Sequence, residues 1–267
     1  MLTAPEMDYP RRFGGIARLY GDAALDRLGA SHVYVIGIGG VGSWAAEALA
    51  RSAIGRITLI DLDHVAESNT NRQIHALDGE YGRAKVQAMA SRILAINPSC
   101  VVTQIDDFIS PENVAALLIK STLHECVLDA IDQVRAKAAL IAHCRVIDLP
   151  VVTTGAAGGR RDPTRIQIAD LARTEHDPLA ARLRAQLRKD YDFPRGPKQN
   201  FGIDCVFSVE PIVRPENAAL TCDTDEAPPD HIGLQGLSCA GYGSAVTVTA
   251  SFGMAAAARV IDKLLAE

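Results

Sequence analysis

Residues 33–73 read VYVIGIGGVGSWAAEALARSAIGRITLIDLDHVAESNTNRQ, and a chain carrying this stretch has few folds open to it. Val33 to Ile36 is a short apolar run rich in β-branched residues, the pattern of a strand buried on both faces. It leads directly into Gly37, Gly39, Gly40 and Gly42, and then into an Ala-rich segment of high helix propensity. Strand, glycine turn and helix place backbone N–H groups and the positive end of a helix where an anion can sit. Glycine is required there because a Cβ would block a phosphate or forbid the backbone angles of the turn. A second strand, Arg56 to Ile60, ends at Asp61, close to the acidic position that holds a nucleotide ribose. The stretch implies a nucleotide site.

Gly37, Gly39 and Gly42 satisfy GxGxxG, which a nicotinamide or flavin enzyme would also carry. The residues that follow argue for a more highly charged ligand. Asp63 comes two positions after Asp61, then Asn69, Asn71, Arg72 and Gln73, then Lys85 after a Tyr-Gly-Arg-Ala turn. A dinucleotide pyrophosphate is a diester with little charge to neutralise, whereas a triphosphate carries about twice as much or more. A bidentate Arg and a point-charge Lys are suitable partners for it. Either basic residue alone would read as a solvated surface charge; the ordered set does not.

With these residues in view, the chain resembles the adenylating enzymes related to ubiquitin-activating enzyme, which include the molybdopterin and thiamine sulfur-carrier activators. The resemblance rests on GIGGVGSW, LIDLD, SNTNRQ, the GRAK turn and DAID at 129–132. Within that superfamily, RRFGGIARLYG, NRQIHAL, INPSC, TTGAAGG followed by DPT, and DCVFS are similar to the tRNA threonylcarbamoyladenosine dehydratases. The matching segments run from about residue 11 to the last helix.

At 267 residues, one large α/β domain is favoured over two. The expected architecture is a doubly wound, Rossmann-like nucleotide-binding fold with a mixed central sheet. Residues 1–155 would form the nucleotide-binding half, and 156–267 the half for substrate, tRNA and dimerisation. Six cysteines occur without a CxxC pair, and Cys100, Cys126 and Cys144 fall in apolar strands or helices. That is a reduced, cytosolic pattern. Many relatives carry two CxxC pairs for structural zinc, so no zinc is expected here. The first residues lack the apolar core of a signal peptide. Ala240 to Ala258 has no charged residue, but it is rich in Gly, Ser, Thr and Ala and reads as an interior helix rather than a membrane span. With a net charge of −5, any nucleic-acid site must be a local patch.

Residues 8–29 should be mostly helical. In the superfamily an arginine near this point reaches across a dimer into the partner's nucleotide site, and Arg12 and Arg18 are both candidates. Further strands are expected at 100–105, 126–128, 151–154, 165–169 and 204–208. Helices are expected over 82–96, 134–147 and 178–191, and a short one with Ser110 as cap and Pro111 at its first position. Lys85 lies in a first helical turn, where the helix dipole does not favour a cation, and this suggests a ligand. Asp61, Asp63, Asp129 and Asp132 fall at the carboxyl ends of strands, where open parallel sheets bind ligands. Gly155 to Gly159 reads as a loop beside the site, offering carbonyls to a monovalent cation. Arg182, Arg184, Arg188, Lys189, Arg195 and Lys198 cluster over 182–198, a pattern suited to phosphate contacts. Cys239, ahead of the last helix, is a candidate nucleophile, weighed against a cysteine that only packs.

The resemblance implies ATP and Mg2+ as cofactors, Asp132 as the Mg2+-binding aspartate, and a homodimer. It implies as substrate the threonylcarbamoyl group on the adenosine 3′ of the anticodon in tRNA. Arg72, Lys85 and Asp132 would be catalytic, and Gly37, Gly39, Gly40, Gly42, Asp61, Asp63, Asn69 and Gln73 would complete the ATP site. A sulfur-transfer protein is a further partner that the superfamily brings into view. Adenylation of the C-terminus of a sulfur-carrier or ubiquitin-like protein is the alternative activity, sharing the same adenylation residues.

Overall fold

The computed structural model describes residues 8–122, 124–196, 198–213 and 242–266. The chain begins with helices α1 (Tyr9–Tyr20) and α2 (Asp22–Ala30), separated at Gly21, whose positive φ breaks the helix. Then follow β1 (His32–Ile36), α3 (Gly42–Arg51), β2 (Arg56–Ile60), α4 (Lys85–Ile96) and β3 (Val101–Ile105). A short α5 (Val114–Leu117), β4 (Glu125–Asp129), α6 (Val134–Val146) and β5 (Val151–Thr154) come next. The remainder comprises β6 (Ile166–Asp170), α7 (Pro178–Asp190), β7 (Asp204–Ser208) and α8 (Val246–Ala266).

These strands form one seven-stranded sheet in the order β3-β2-β1-β4-β5-β7-β6. All neighbours pair parallel except β6, which lies antiparallel to β7 at the edge. This is the mixed, doubly wound sheet expected. Helices cover both faces, and the strands divide their side chains accordingly. Val33 and Val35 of β1 enter one core with α3, α4 and α8, while Tyr34 and Ile36 enter the other with α6 and α7. The strand order reverses between β1 and β4, and the crevice outside their carboxyl ends is where such sheets bind ligands.

Two close approaches set the geometry of that crevice. A Cβ on Gly42 would lie 1.8 Å from the Gly37 carbonyl oxygen, so the first residue of α3 must be glycine. Gly253 allows α8 to lie against α3, since a Cβ there would meet the Val41 carbonyl oxygen at 2.5 Å. The uncharged stretch read as an interior helix is thus largely α8. Among the described residues no helix is long and apolar enough to cross a membrane.

Two helix starts differ from expectation. The helix expected from residue 82 begins at Lys85, after Gly82 with its positive φ. The helix after Ser110-Pro111 starts only at Val114. The Asn113 side chain accepts from the Ser110 N–H at 2.8 Å and donates to the Phe108 carbonyl at 2.8 Å, holding the preceding residues in turns.

Lys137 decides the shape of the β4 end. It is fully buried on the inward face of α6, with Nζ 2.9 Å from Asp129 Oδ2 and 2.9 Å from the Ile131 carbonyl. Asp129 also accepts from Thr153 Oγ1 at 2.6 Å and from the Ile131 N–H at 3.1 Å. The loop carrying Asp132 is therefore staked from beneath. Removing one partner of a buried pair leaves an uncompensated charge. Lys137→Met should lower unfolding free energy by about 3–5 kcal/mol in denaturant titrations, and adding Asp129→Asn should restore part of it. An unchanged midpoint for the single variant would contradict this role.

Candidate functional site

The turn between β1 and α3 is held open by a carboxylate. Asp61, at the end of β2, accepts from the Ile38 N–H at 2.5 Å and from the Asp63 N–H at 2.8 Å. Burial pushes its carboxyl above the usual range, outweighing the opposing pull of Lys85 and these N–H groups. Gly37 has a positive φ, and a Cβ there would also press on the Ala130 carbonyl. Gly37, Gly39 and Gly40 line the cleft, whereas Gly42 serves the helix approach beneath it.

Lys85, at the start of α4, is nearly fully buried; its Nζ lies 2.6 Å from Asp63 Oδ2 and 3.8 Å from Asp61 Oδ1. A cation in that first turn is thus supported by two carboxylates and faces the cleft. The segment 69–73 curls against α3 and α8. Trp44 Nε1 donates to the Arg72 carbonyl at 2.9 Å, Asn69 Oδ1 accepts from the Ala66 N–H at 3.1 Å, and Asn71 Nδ2 donates to the Ser244 carbonyl at 2.8 Å. Arg72 Nη1 donates to the Ser68 carbonyl at 2.9 Å and to Asn71 Oδ1 at 2.8 Å. Gln73 lines the cleft with its side-chain oxygen buried and without a partner.

On the opposite wall Asp132 is half-buried at the end of the staked loop. Beyond it, Asp177 knits the 155–159 loop to α7. Its Oδ2 accepts from the Ala156 N–H at 2.9 Å and its Oδ1 caps α7 through the Ala180 N–H at 2.9 Å. A Cβ on Gly155 would collide with that carboxylate. The buried Arg160 donates to the carbonyls of Ala156, Ser208, Glu210 and His176 and lies 3.5 Å from Asp177.

The expected nucleotide residues thus converge on one cleft, of about 1660 Å³ as bounded by the described residues. Drug-sized ligands occupy sites of roughly 300–1,000 Å³, so there is room for a nucleotide and part of a second substrate. The basic segment divides. Arg182, exposed, lines the cleft, and Lys189 and Lys198 are exposed. Arg184 is turned inward: it donates to Thr174 Oγ1, and burial, with Arg188 adjacent, pulls its guanidinium below the usual value. Arg188 donates to the Pro194 carbonyl at 3.1 Å and stacks over Phe201, and Arg195 donates to the Arg188 carbonyl at 3.0 Å. At the amino end, Arg12 donates to the Ile96 carbonyl at 2.7 Å, while Arg18 is exposed and makes no hydrogen bond or ion pair among the described residues.

Cys239 lies outside the described residues. Cys100, Cys126, Cys144 and Cys205 are buried as free thiols. Burial pushes Cys100 up to about 11, and Cys144 and Cys205 higher still. Sequence reasoning passed over Lys137 and Asp177, and it gave no structural role to Trp44 or Arg160. Two of them left a signal: Lys137 opens the apolar run AALIAHC, and Asp177 precedes Pro178 in the order of a cap and a first helical residue.

The model of the ThiF family matches residues 13–267. The tRNA threonylcarbamoyladenosine dehydratase of Escherichia coli (strain K12) is 52% identical over 261 residues, covering 96% of this chain and 94% of that protein. The crystal structure of the E. coli tRNA N6-threonylcarbamoyladenosine dehydratase in complex with ATP superposes with a TM-score of 0.85 at 48% identity, covering 99% of this chain and 98% of that one. Its complex with AMP gives 0.84 at the same identity and coverage.

His75, two residues beyond Gln73, generates a pH test. It is buried with both ring nitrogens unpartnered, and burial, helped by Lys85 and Arg92, lowers its pKa to about 4 from 6.5. The unfolded chain then binds the extra proton, so this stability is present above pH 6.5 and lost as pH falls toward 4. By pH 5 the loss should be on the order of 2 kcal/mol. His75→Leu should flatten this acid limb in denaturant titrations; an identical limb in the variant would contradict it.

Proposed function

The chain belongs to the ThiF family, and from that membership we propose a reaction residue by residue. The enzyme uses ATP to dehydrate threonylcarbamoyladenosine in tRNA, activating the threonine carboxylate as an acyl adenylate. The single observation that carries this reading is the convergence of the glycine turn, Arg72, Lys85 and Asp132 on one cleft, in a chain 48% identical to a dehydratase seen with both ATP and AMP.

In the first step a carboxylate oxygen attacks the α-phosphorus. A new P–O bond forms, the bond to the β-phosphate breaks, and pyrophosphate leaves. Gly37, Gly39 and Gly40 leave room for the phosphates beside the N-terminus of α3. Asp61 orders the turn and retains lone pairs for the ribose side. Arg72 and Lys85 meet the charge that develops on the phosphates, so catalysis here is positioning plus electrostatics. Lys85 starts from a compensated state beside Asp63 and Asp61, and arriving phosphate oxygens compete for it. In the second step an atom of the substrate's own carbamoyl group bonds to the acyl carbon. The acyl–phosphate bond breaks, AMP departs and the carbamoyl group gives up a proton. Intramolecular closure can have effective molarities of roughly 10⁵ M or more, so no enzyme thiol is needed.

Asp132 fits a magnesium role: a hard oxygen donor on the cleft wall, in a loop that Lys137 holds in place. Bound there with ATP, the ion would neutralise phosphate charge. A monovalent cation near Gly155–Gly159 would rely on carbonyls other than that of Ala156, which Arg160 engages at 3.0 Å. Two copies form a homodimer in this reading, with Arg18 reaching the partner's site because Arg12 is spent on the end of α4. Acting on tRNA, the enzyme works in the cytoplasm. The RNA is held by Arg182, Lys189 and Lys198, supported by Arg195, while Arg184 and Arg188 shape the segment.

Arg72→Ala should reduce ATP–pyrophosphate exchange driven by modified tRNA by about 10²-fold or more, with little change in thermal unfolding. Exchange at the wild-type rate would sink the assignment, and exchange driven by a small carrier protein instead of tRNA would redirect it. The charge patch has its own test. Replacing Arg182, Lys189 and Lys198 with Ala should weaken tRNA binding and flatten its logarithmic salt dependence by somewhat under one unit for each phosphate left without its cation. Unchanged affinity and slope would place the RNA elsewhere.

A further inference from the structure

The cleft receives a second helix end that the nucleotide does not require. α8 packs alongside α3 through Gly253, and the cleft wall is lined by Thr249 from its first turns and by Ser244 just ahead of it. Two contacts fix this end. The Gly159 N–H donates to the Gly243 carbonyl at 2.9 Å, and Asn71 Nδ2 donates to the Ser244 carbonyl at 2.8 Å. The amides of Val246 and Thr247 donate to no acceptor among the described residues, as expected of a first helical turn. An independent observation is Thr249 itself. It is 3% exposed, and its hydroxyl is buried without a hydrogen-bond partner. Helical threonines commonly donate back to the carbonyl four residues earlier; this one does not. A buried unpaired hydroxyl in a native site calls for an explanation, and a ligand supplies one.

Position narrows the ligand. A Cβ on Gly40 would lie 3.2 Å from Arg72 Cγ and 3.3 Å from Thr249 Cγ2. Thr249 therefore stands beside the phosphate turn, next to the arginine assigned to the transition state. The α3 end already serves the phosphates, so the α8 end serves the other anion of the reaction. We infer that Thr249 and the first turn of α8 form the subsite for the substrate carboxylate, orienting it toward the α-phosphorus. The chemistry is suited to that purpose. A carboxylate must keep an electron pair for attack, and a hydroxyl with helix-end amides hold it without the full ion pair that would quench it.

This inference rests on the carboxylate activation proposed above, and its test separates the two. Full-length Thr249→Val and Thr249→Ser are compared with wild type for ATP binding, for binding of unmodified tRNA, and for pyrophosphate exchange driven by modified tRNA. Loss of one hydrogen bond to a charged group should raise the KM for modified tRNA in T249V about tenfold or more. ATP and unmodified tRNA should bind within about twofold of wild type, and T249S should behave as wild type. Thr249→Ala takes the place of the valine variant if that one melts early. An unchanged KM, or weakened ATP binding with the KM intact, would overturn the inference and in the second case make the subsite one for phosphate. A wild-type protein that binds ATP but never exchanges with modified tRNA would overturn the carboxylate activation itself, and the inference with it.

Discussion

The site depends on how closely α3 approaches the turn that feeds it. Its first residue sits where a single methyl group would meet the Gly37 carbonyl at 1.8 Å. That contact sets the helix end beside the turn, and the turn's other neighbour, Ala130, belongs to the loop after β4. β1 and β4 are adjacent strands whose helices leave to opposite faces, so the crevice between them is a property of the topology. Glycine at one position thus couples the helix dipole, the phosphate cradle and the loop bearing Asp132.

Electrostatics then separates what is structural from what is free to act. The Asp129–Lys137 pair and the Arg160 cluster are buried and satisfied by several hydrogen bonds each, which is the condition under which buried charge can be kept. They hold the two loops on one wall of the cleft. On the other wall the charges are less settled. Asp61 resists ionisation because of burial, Lys85 is shared between carboxylates, and Gln73 and Thr249 carry unpartnered polar atoms. Groups left in that condition around a cleft are ready to be completed by a ligand.

Much of this was legible in the residues because the glycine turn, the apolar strand and the capped helices are local devices. VYVI, the four glycines and LIDLD are sufficient to place the first two strands, and Asp61, Arg72 and Lys85 all line one cleft. What escaped is non-local. Nothing near Lys137 in sequence tells that it will reach back under Asp129. Arg184 and Arg182 look alike in sequence, yet one helical face buries Arg184 against Thr174 and leaves Arg182 at the cleft. Arg12 and Arg18 look alike in sequence, and only the end of α4 distinguishes them, by accepting from Arg12. Thr249 read as one small polar residue in an interior helix; only the packing of α8 against α3 brings it to Gly40.

The central claim is that the carboxylate of the modified nucleoside attacks the α-phosphorus of ATP. It is tested most directly by labelling that carboxylate with a heavy oxygen isotope and analysing the released nucleotide by mass spectrometry. Adenylation followed by ring closure leaves one labelled oxygen on the phosphate of AMP, with unlabelled pyrophosphate. Unlabelled AMP, or label in inorganic phosphate beside ADP, would contradict the mechanism and mean that the carboxylate is activated in another way.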